Sequence, residues 1–308
     1  MSDFAAAATD YLDTRRALGY KLLQQGQMLC QFVEYLEGVK AEHLSLSHAV
    51  AWAQQPAKAD PLLWSAKLCV VRGFARYMQA LDPETEIPPV GLWPERSSRI
   101  VPYIYTDDDI AGLVAAAGQL CPPLRADTYQ TLISLLAVTG MRVGEAVRLD
   151  HSDLDWDQGL LTIRNTKFGK SRQLPLHSST VDALHAYAQR RSQQCRRPKG
   201  PSFFVSIVGT RLIRDNATAV FAHLVNHAGL TWSAPHRRPR LHDLRHSFAV
   251  KTVTGWYRAG LDAQQRLPLL STYLGHTGPA ATYWYLSGVP ELLELAAERT
   301  EAGWEATR

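Results

Sequence analysis

Apolar residues recur at three- and four-residue intervals through much of this chain, and the breaks in that rhythm mark its elements. Residues 4–38 read as helix broken near Gly19, with Leu29, Phe32, Val33 and Leu36 forming one apolar stripe. Ser45 or Ser47 supplies a cap for a short helix through Ala49, Val50 and Trp52, which stops at Pro56. A third pattern runs from about residue 61 to 80. It turns Leu68, Val71, Phe74, Ala75 and Met78 inward and sets Arg72 and Arg76, four apart, on the other face. The rhythm then fails, and Pro83, Pro88, Pro89, Pro94 and Pro102 punctuate residues 82–102. This stretch predicts a linker between an all-helical domain over residues 1–97 and a second domain over 98–308.

In the second domain Thr106-Asp107-Asp108-Asp109 has the form of a capping box and starts a helix through Ile110, Leu113 and Val114. Another helix covers roughly residues 128–139 and ends at Gly140, and Arg142 heads a short helix with Glu145 three residues on. Residues 153–159 are rich in turn formers. Residues 160–164 and 172–176 then read as two strands around a glycine-containing turn that carries Lys167 and Lys170. Helices follow over about 178–192 and 216–228. Pro290, with the strip Leu292, Leu295 and Ala296, predicts a C-terminal helix over 289–300. The fold class expected is mainly α with a small β-sheet.

Charge changes the picture. The net charge of the chain is only +4, but residues 160–245 hold fifteen Lys or Arg against three Asp or Glu. Residues 1–97 hold nine against eleven. Such a concentrated basic segment points to a polyanion, because neutralised phosphates release condensed counterions. Arg237, Arg238 and Arg240 sit at its end as candidate DNA contacts. Cys30, Cys69, Cys121 and Cys195 are widely spaced, which argues against a zinc site or disulfide framework and suggests a reducing compartment. The first residues lack the basic and apolar regions of a signal peptide, and no run suits a membrane span, so a cytosolic protein is expected. His223 and His227, like His242 and His246, are four apart and could bind metal, but no HExxH accompanies them.

Four boxes carry the candidate chemistry. They are Thr139-Gly140-Met141-Arg142-Val143-Gly144-Glu145, then Thr166-Lys167-Phe168-Gly169-Lys170-Ser171-Arg172, then His242-Asp243-Leu244-Arg245-His246, and Leu274-Gly275-His276 with Tyr285 nine residues beyond. In this order they resemble the tyrosine recombinases, the phage-integrase family. The likeness covers residues 98–290 well and residues 4–97 only by layout. It implies an N-terminal core-binding (SAM-like) domain that clamps DNA and a mixed α/β catalytic domain. It further implies that Tyr285 is the nucleophile, that Arg142, Arg245 and His276 attend the phosphate, that His242 assists removal of the phenol proton, and that Lys167 is the general acid. Lys170 and Arg172 are expected as phosphate contacts. Tyr283 lies two residues short of the spacing, roughly 200° away around a helix. One departure is that Leu286-Ser287 follow the tyrosine where many relatives place a histidine two residues on.

These residue types suit phosphodiester cleavage. A phenol can conserve the bond energy in a covalent 3′-phosphotyrosine, planar guanidinium groups can neutralise the non-bridging oxygens, and an ammonium can protonate the departing 5′-oxygen. With arginines supplying the charge, neither metal nor other cofactor is expected. The partners expected are double-stranded DNA and a homo-tetramer on paired sites, with related recombinases as further candidates, in a bacterial cytosol or nucleoid. A type IB topoisomerase and a non-catalytic DNA-binding protein on the same fold are the alternatives.

Overall fold

The computed structural model describes residues 3–94, 101–164, 171–233 and 238–276. The chain divides into two compact units, Met1–Arg99 and Ile100–Arg308.

The first unit is helical: α1 (Phe4–Ala17), α2 (Leu23–Gly38), α3 (Leu46–Ala53) and α4 (Pro61–Met78). The break between α1 and α2 falls at Gly19, whose φ of +89° a side chain would oppose. Ser45 caps α3 by accepting from the His48 amide, and Asp60 caps α4 ahead of a proline in its first turn. The predicted stripes of α2 and α4 are buried together with Phe4, Leu12 and Trp52 in one core.

One expectation fails here. Arg72 does not share an exposed face with Arg76. It is buried, and its Nε and Nη2 donate to the carbonyls of Pro88 (2.8 Å) and Pro89 (2.7 Å). The division between the two units falls within the proline-rich stretch, which as far as Trp93 packs on the helices of the first unit. The Glu86 amide donates to Leu44 O (2.8 Å), and Trp93 packs edge-on to Trp64. Prolines leave carbonyls without a ladder, and Arg72 supplies their donors.

The second unit contains α5 (Asp107–Gly118), α6 (Pro123–Thr139), the single turn α7 (Val143–Ala146), α8 (Ser178–Gln194), α9 (Arg214–His227), α10 (Asp243–Arg258) and α11 (Ala263–Leu274). An antiparallel sheet has the order β1 (Leu154–Asp155), β2 (Leu160–Ile163), β3 (Arg172–Pro175). The short β1 adds a strand to the predicted hairpin. Leu161 pairs with Leu174, and Leu161, Ile163 and Leu174 all point into the core. The capping box at Thr106 and Asp109 starts α5 as expected. Helix α6 begins at Pro123, five residues earlier than its predicted start, and packs against α5, α8 and α10. It buries residues on every side, Leu124, Thr128, Leu132, Leu135 and Thr139 among them, so no single stripe marks it in sequence.

Helix α11 was not legible, because Pro268 lies in its interior. Ala263, Leu267, Leu270 and Leu274 pack against Ala249, Val250 and Val253 of α10, and that burial overrides the proline. No helix among the described residues is long and apolar enough to cross a membrane.

Candidate active site

Two helix ends frame the site. Helix α6 stops at Gly140 (φ +60°) and α11 at Gly275 (φ +68°), both left-handed. A Cβ at Gly140 would lie 2.4 Å from Phe248 Cδ1, and one at Gly275 would lie 2.6 Å from Arg172 Nη1. The last carbonyls of a helix lack intrahelical donors and carry the negative end of its dipole, so they attract cations. Here they receive arginines. Arg245, itself buried, donates Nη1 to Gly140 O (2.8 Å) and Nη2 to Leu274 O (2.7 Å). Arg142 donates Nη2 to Gly275 O (3.0 Å).

Arg142 precedes α7 and is held by Glu145, which accepts its backbone N–H (3.0 Å) and its Nη1 (2.8 Å). Glu145 also accepts Nη1 (3.1 Å) and Nη2 (2.8 Å) of Arg172, whose Nε donates to Tyr273 O (2.8 Å). Burial would push the carboxyl upward. The Arg172 and Arg142 hydrogen bonds outweigh it and bring Glu145 down to about 2. The side chains of Glu145, Arg172 and Arg142 are 3%, 13% and 34% exposed, so Arg142 is the open member of this triad.

His242 is the residue before α10 rather than a member of it, and its ring meets that of His246 edge to face, 5.1 Å between centroids. His276 follows Gly275, and its amide donates to Ser271 O (2.9 Å). All three imidazoles are held below the ordinary histidine value, first by burial and then by neighbouring cations. For His276 those cations are Arg245, Arg142 and Arg172, and its pKa falls to about 4. His242 lies at the surface, where water tempers the lowering. Nearby, buried Asp243 accepts the backbone N–H and Nη2 of Arg240, each at 2.9 Å. Four arginines thus face two carboxylates, and the excess positive charge favours an anion.

The predicted residues Arg142, His242, Arg245 and His276 come together here. Lys167, Lys170, Arg237, Tyr285 and the 289–300 helix lie outside the described residues. Three expected DNA contacts, Arg172, Arg238 and Arg240, have protein partners in this structure. The Arg172 fork holds Glu145, Arg240 holds Asp243, and Arg238 Nη2 donates to Ala222 O (2.6 Å) and Asn226 Oδ1 (3.0 Å) beneath Trp232. The reading of residues missed His246 and Asp243 as parts of the site, and the glycine carbonyls that anchor the arginines. The left-handed glycine after each helix was the available signal. The His223 and His227 rings are nearly parallel, 6.3 Å apart, and among the described residues no group of three His, Cys, Asp or Glu could hold a metal.

Comparison with known proteins agrees with this geometry. Residues 105–289 match the model of the phage integrase family. A Sinorhizobium fredii protein that carries the provisional name integrase/recombinase y4rB is 44% identical over 99% of both chains. Tyrosine recombinase XerD of Mycobacterium tuberculosis is 32% identical over 71% of this chain and 67% of its own. Among solved structures, the Tn1549 transposon integrase in complex with transposon right-end DNA aligns with a TM-score of 0.65 at 15% identity, covering 96% of this chain and 98% of that one. A lambda integrase tetramer bound to a Holliday junction aligns at 0.59 and 17% identity, covering 90% and 76%. These two share the fold. Family model, close relatives and the paired arginine boxes agree: this chain belongs to the tyrosine recombinases, a family of DNA strand-exchange enzymes.

Proposed function

We propose that this protein is a site-specific DNA recombinase of the integrase or transposase type. It cleaves and rejoins strands through a covalent 3′-phosphotyrosine at Tyr285, with no metal or ATP. The observation that carries this reading is the excess of arginine around three histidines held below their ordinary value, first by burial and then by neighbouring charge. Such a pocket is unfavourable while empty of anion and favours the added negative charge of a pentacoordinate phosphorane. Arg142 and Arg245 bind the non-bridging oxygens. Neutral His276 donates a further hydrogen bond, and neutral His242 takes the phenol proton. Lys167 protonates the 5′-oxygen as it leaves, and rejoining to a different 5′-hydroxyl exchanges strands.

The test is covalent capture on a nicked suicide DNA carrying the protein's own site. A denaturant-resistant adduct should form, persist in excess chelator, vanish in Tyr285→Phe and remain in Tyr283→Phe. The reverse tyrosine pattern would overturn the assignment.

The active assembly on this reading is a tetramer on paired sites, coupled by the C-terminal segment. Residues 286–308 hold five glutamates and two arginines, which suits contact with protein better than with DNA. The lambda integrase tetramer supports the stoichiometry. Truncation after Gly288 should keep binding to a single site while ending recombination between two. A truncated protein that recombines at the full rate would remove the tail from this role.

A further inference from the structure

Sequence position makes Arg172 look like a phosphate contact, yet its side chain turns inward and ties three distant segments. It grips both oxygens of Glu145, donates to the Tyr273 carbonyl in the last turn of α11, and packs against Gly275 so closely that a Cβ there would sit 2.6 Å from Nη1. Glu145 and Gly275 are also the two partners of the Arg142 guanidinium. Among the described residues, Arg172 therefore touches both groups that hold the Arg142 guanidinium.

Charge gives this arrangement its meaning. A buried carboxylate paired with Arg142 alone would cancel the charge of the cation that must meet the phosphate. Two arginines on one carboxylate leave the triad with a net charge of +1. Arg172 is the more enclosed of the two and Arg142 the more open, at 13% and 34% exposure. We propose that Arg172 is a positioning residue that compensates the charge of Glu145, so that Glu145 can hold Arg142 in place without neutralising it toward DNA. This rests on the reading of Arg142 as a phosphate ligand. Glu145 being held well below the usual carboxylate range, with Arg172 the foremost stabilising partner, accords with it.

The proposal predicts a dependence that a direct DNA contact would not show. When Glu145 carries no charge, Arg172 has nothing to compensate. Removing one partner of a buried ion pair strands the other, whereas removing both does not. The full-length protein, Arg172→Gln, Glu145→Gln and the double variant would be compared for the rate of covalent adduct formation on suicide DNA. Arg172→Gln should slow the wild-type protein by about 100-fold, the scale of losing one transition-state donor. In the Glu145→Gln background the same change should slow it by no more than about 3-fold, the scale of one neutral hydrogen bond.

Salt dependence supplies a second readout. The slope of log affinity against log salt should fall by about one in Arg172→Gln, because Glu145 then neutralises Arg142, and should not change when Arg172 is replaced in the Glu145→Gln background, whereas a direct phosphate contact would lower it by about one in both. Equal losses of rate in both backgrounds, or an equal fall of the salt slope in both, would overturn the proposal. If Arg172→Gln fails to fold, the comparison of Glu145→Gln with the double variant decides alone, since neither carries the stranded carboxylate. Arg142→Ala separates this from the underlying reading: normal cleavage by that variant would refute Arg142 as the phosphate ligand, whatever the Arg172 result.

Discussion

In the first unit, buried Arg72 gives Nε and Nη2 to the carbonyls of Pro88 and Pro89; in the second, buried Arg245 gives Nη1 and Nη2 to those of Gly140 and Leu274. The hydrogen bonding is of one kind and the surroundings are not. Histidines report the difference. In the first unit His43 meets Asp82 (3.0 Å) and Glu84 (3.3 Å), and its pKa is raised, chiefly by the hydrogen bond to Asp82. In the second, His242, His246 and His276 are all lowered, by burial and then by arginines or one another. A buried arginine on carbonyls is a structural pin wherever it occurs. What distinguishes the second unit is that several such pins converge with too few carboxylates to balance them.

The sharpest way to test that distinction is to remove cations and ask what is lost. Lys167→Ala should slow cleavage by about 100- to 10,000-fold, the range for a general acid. A 5′-phosphorothiolate substrate, whose leaving sulfur needs little protonation, should restore most of the rate. Failure of the sulfur substrate to rescue would exclude Lys167 as the acid.

Next come the arginines. Arg142→Ala should slow adduct formation by about 100- to 1,000-fold while shifting thermal unfolding little, because its side chain is partly open. Arg245→Ala should lose both activity and stability, since it strands the Gly140 and Leu274 carbonyls at about 1–3 kcal/mol each. Arg72→Ala should cost stability on the same scale and leave the cleavage rate of the folded protein intact. Comparable cleavage defects in Arg72→Ala and Arg142→Ala would break the comparison between the units.

How far this difference was legible in sequence depended on the range of the interactions involved. The stripes of α2 and α4 were readable because burial on one helix face leaves a local period. The Thr106–Asp109 box and the short turn headed by Arg142 were readable because caps act over three residues. The arginine boxes were readable only as spacings along the chain. Nothing local says that Arg245 reaches back to Gly140, 105 residues earlier, or that Arg172 reaches Tyr273, 101 residues later. Arg72 was misread as an outward cation, and the hold of Arg172 on Glu145 was not foreseen, because a lone arginine looks the same in sequence whether it meets solvent, a carboxylate or a buried carbonyl. Helix α11 was hidden by Pro268, whose local penalty is outweighed by packing that sequence does not display.

The smallest effect lets the two units be read against each other within one molecule. A histidine whose folded pKa is raised stabilises below its unfolded value and loses that contribution as pH rises. His43 should therefore make the first unit slightly more stable at pH 5 than at pH 7. A histidine held below its unfolded value does the opposite. As pH falls below 6.5 the unfolded chain takes up protons that the folded unit refuses, so stability declines toward the folded value, about 3 for His246 and about 4 for His276. For one fully shielded imidazole the loss by pH 5 is about 2 kcal/mol. Backbone amide exchange, corrected for its intrinsic pH dependence, reads helices α4 and α10 separately and should give slopes of opposite sign. Inorganic phosphate sharpens the contrast: an anion among the arginines favours the protonated imidazoles, so it should reduce the acid loss in α10 and leave α4 unchanged. Parallel slopes in the two helices would show that burial and neighbouring charge do not hold these histidines low, and equal relief by phosphate in both would show that the arginine excess of the second unit does not contribute.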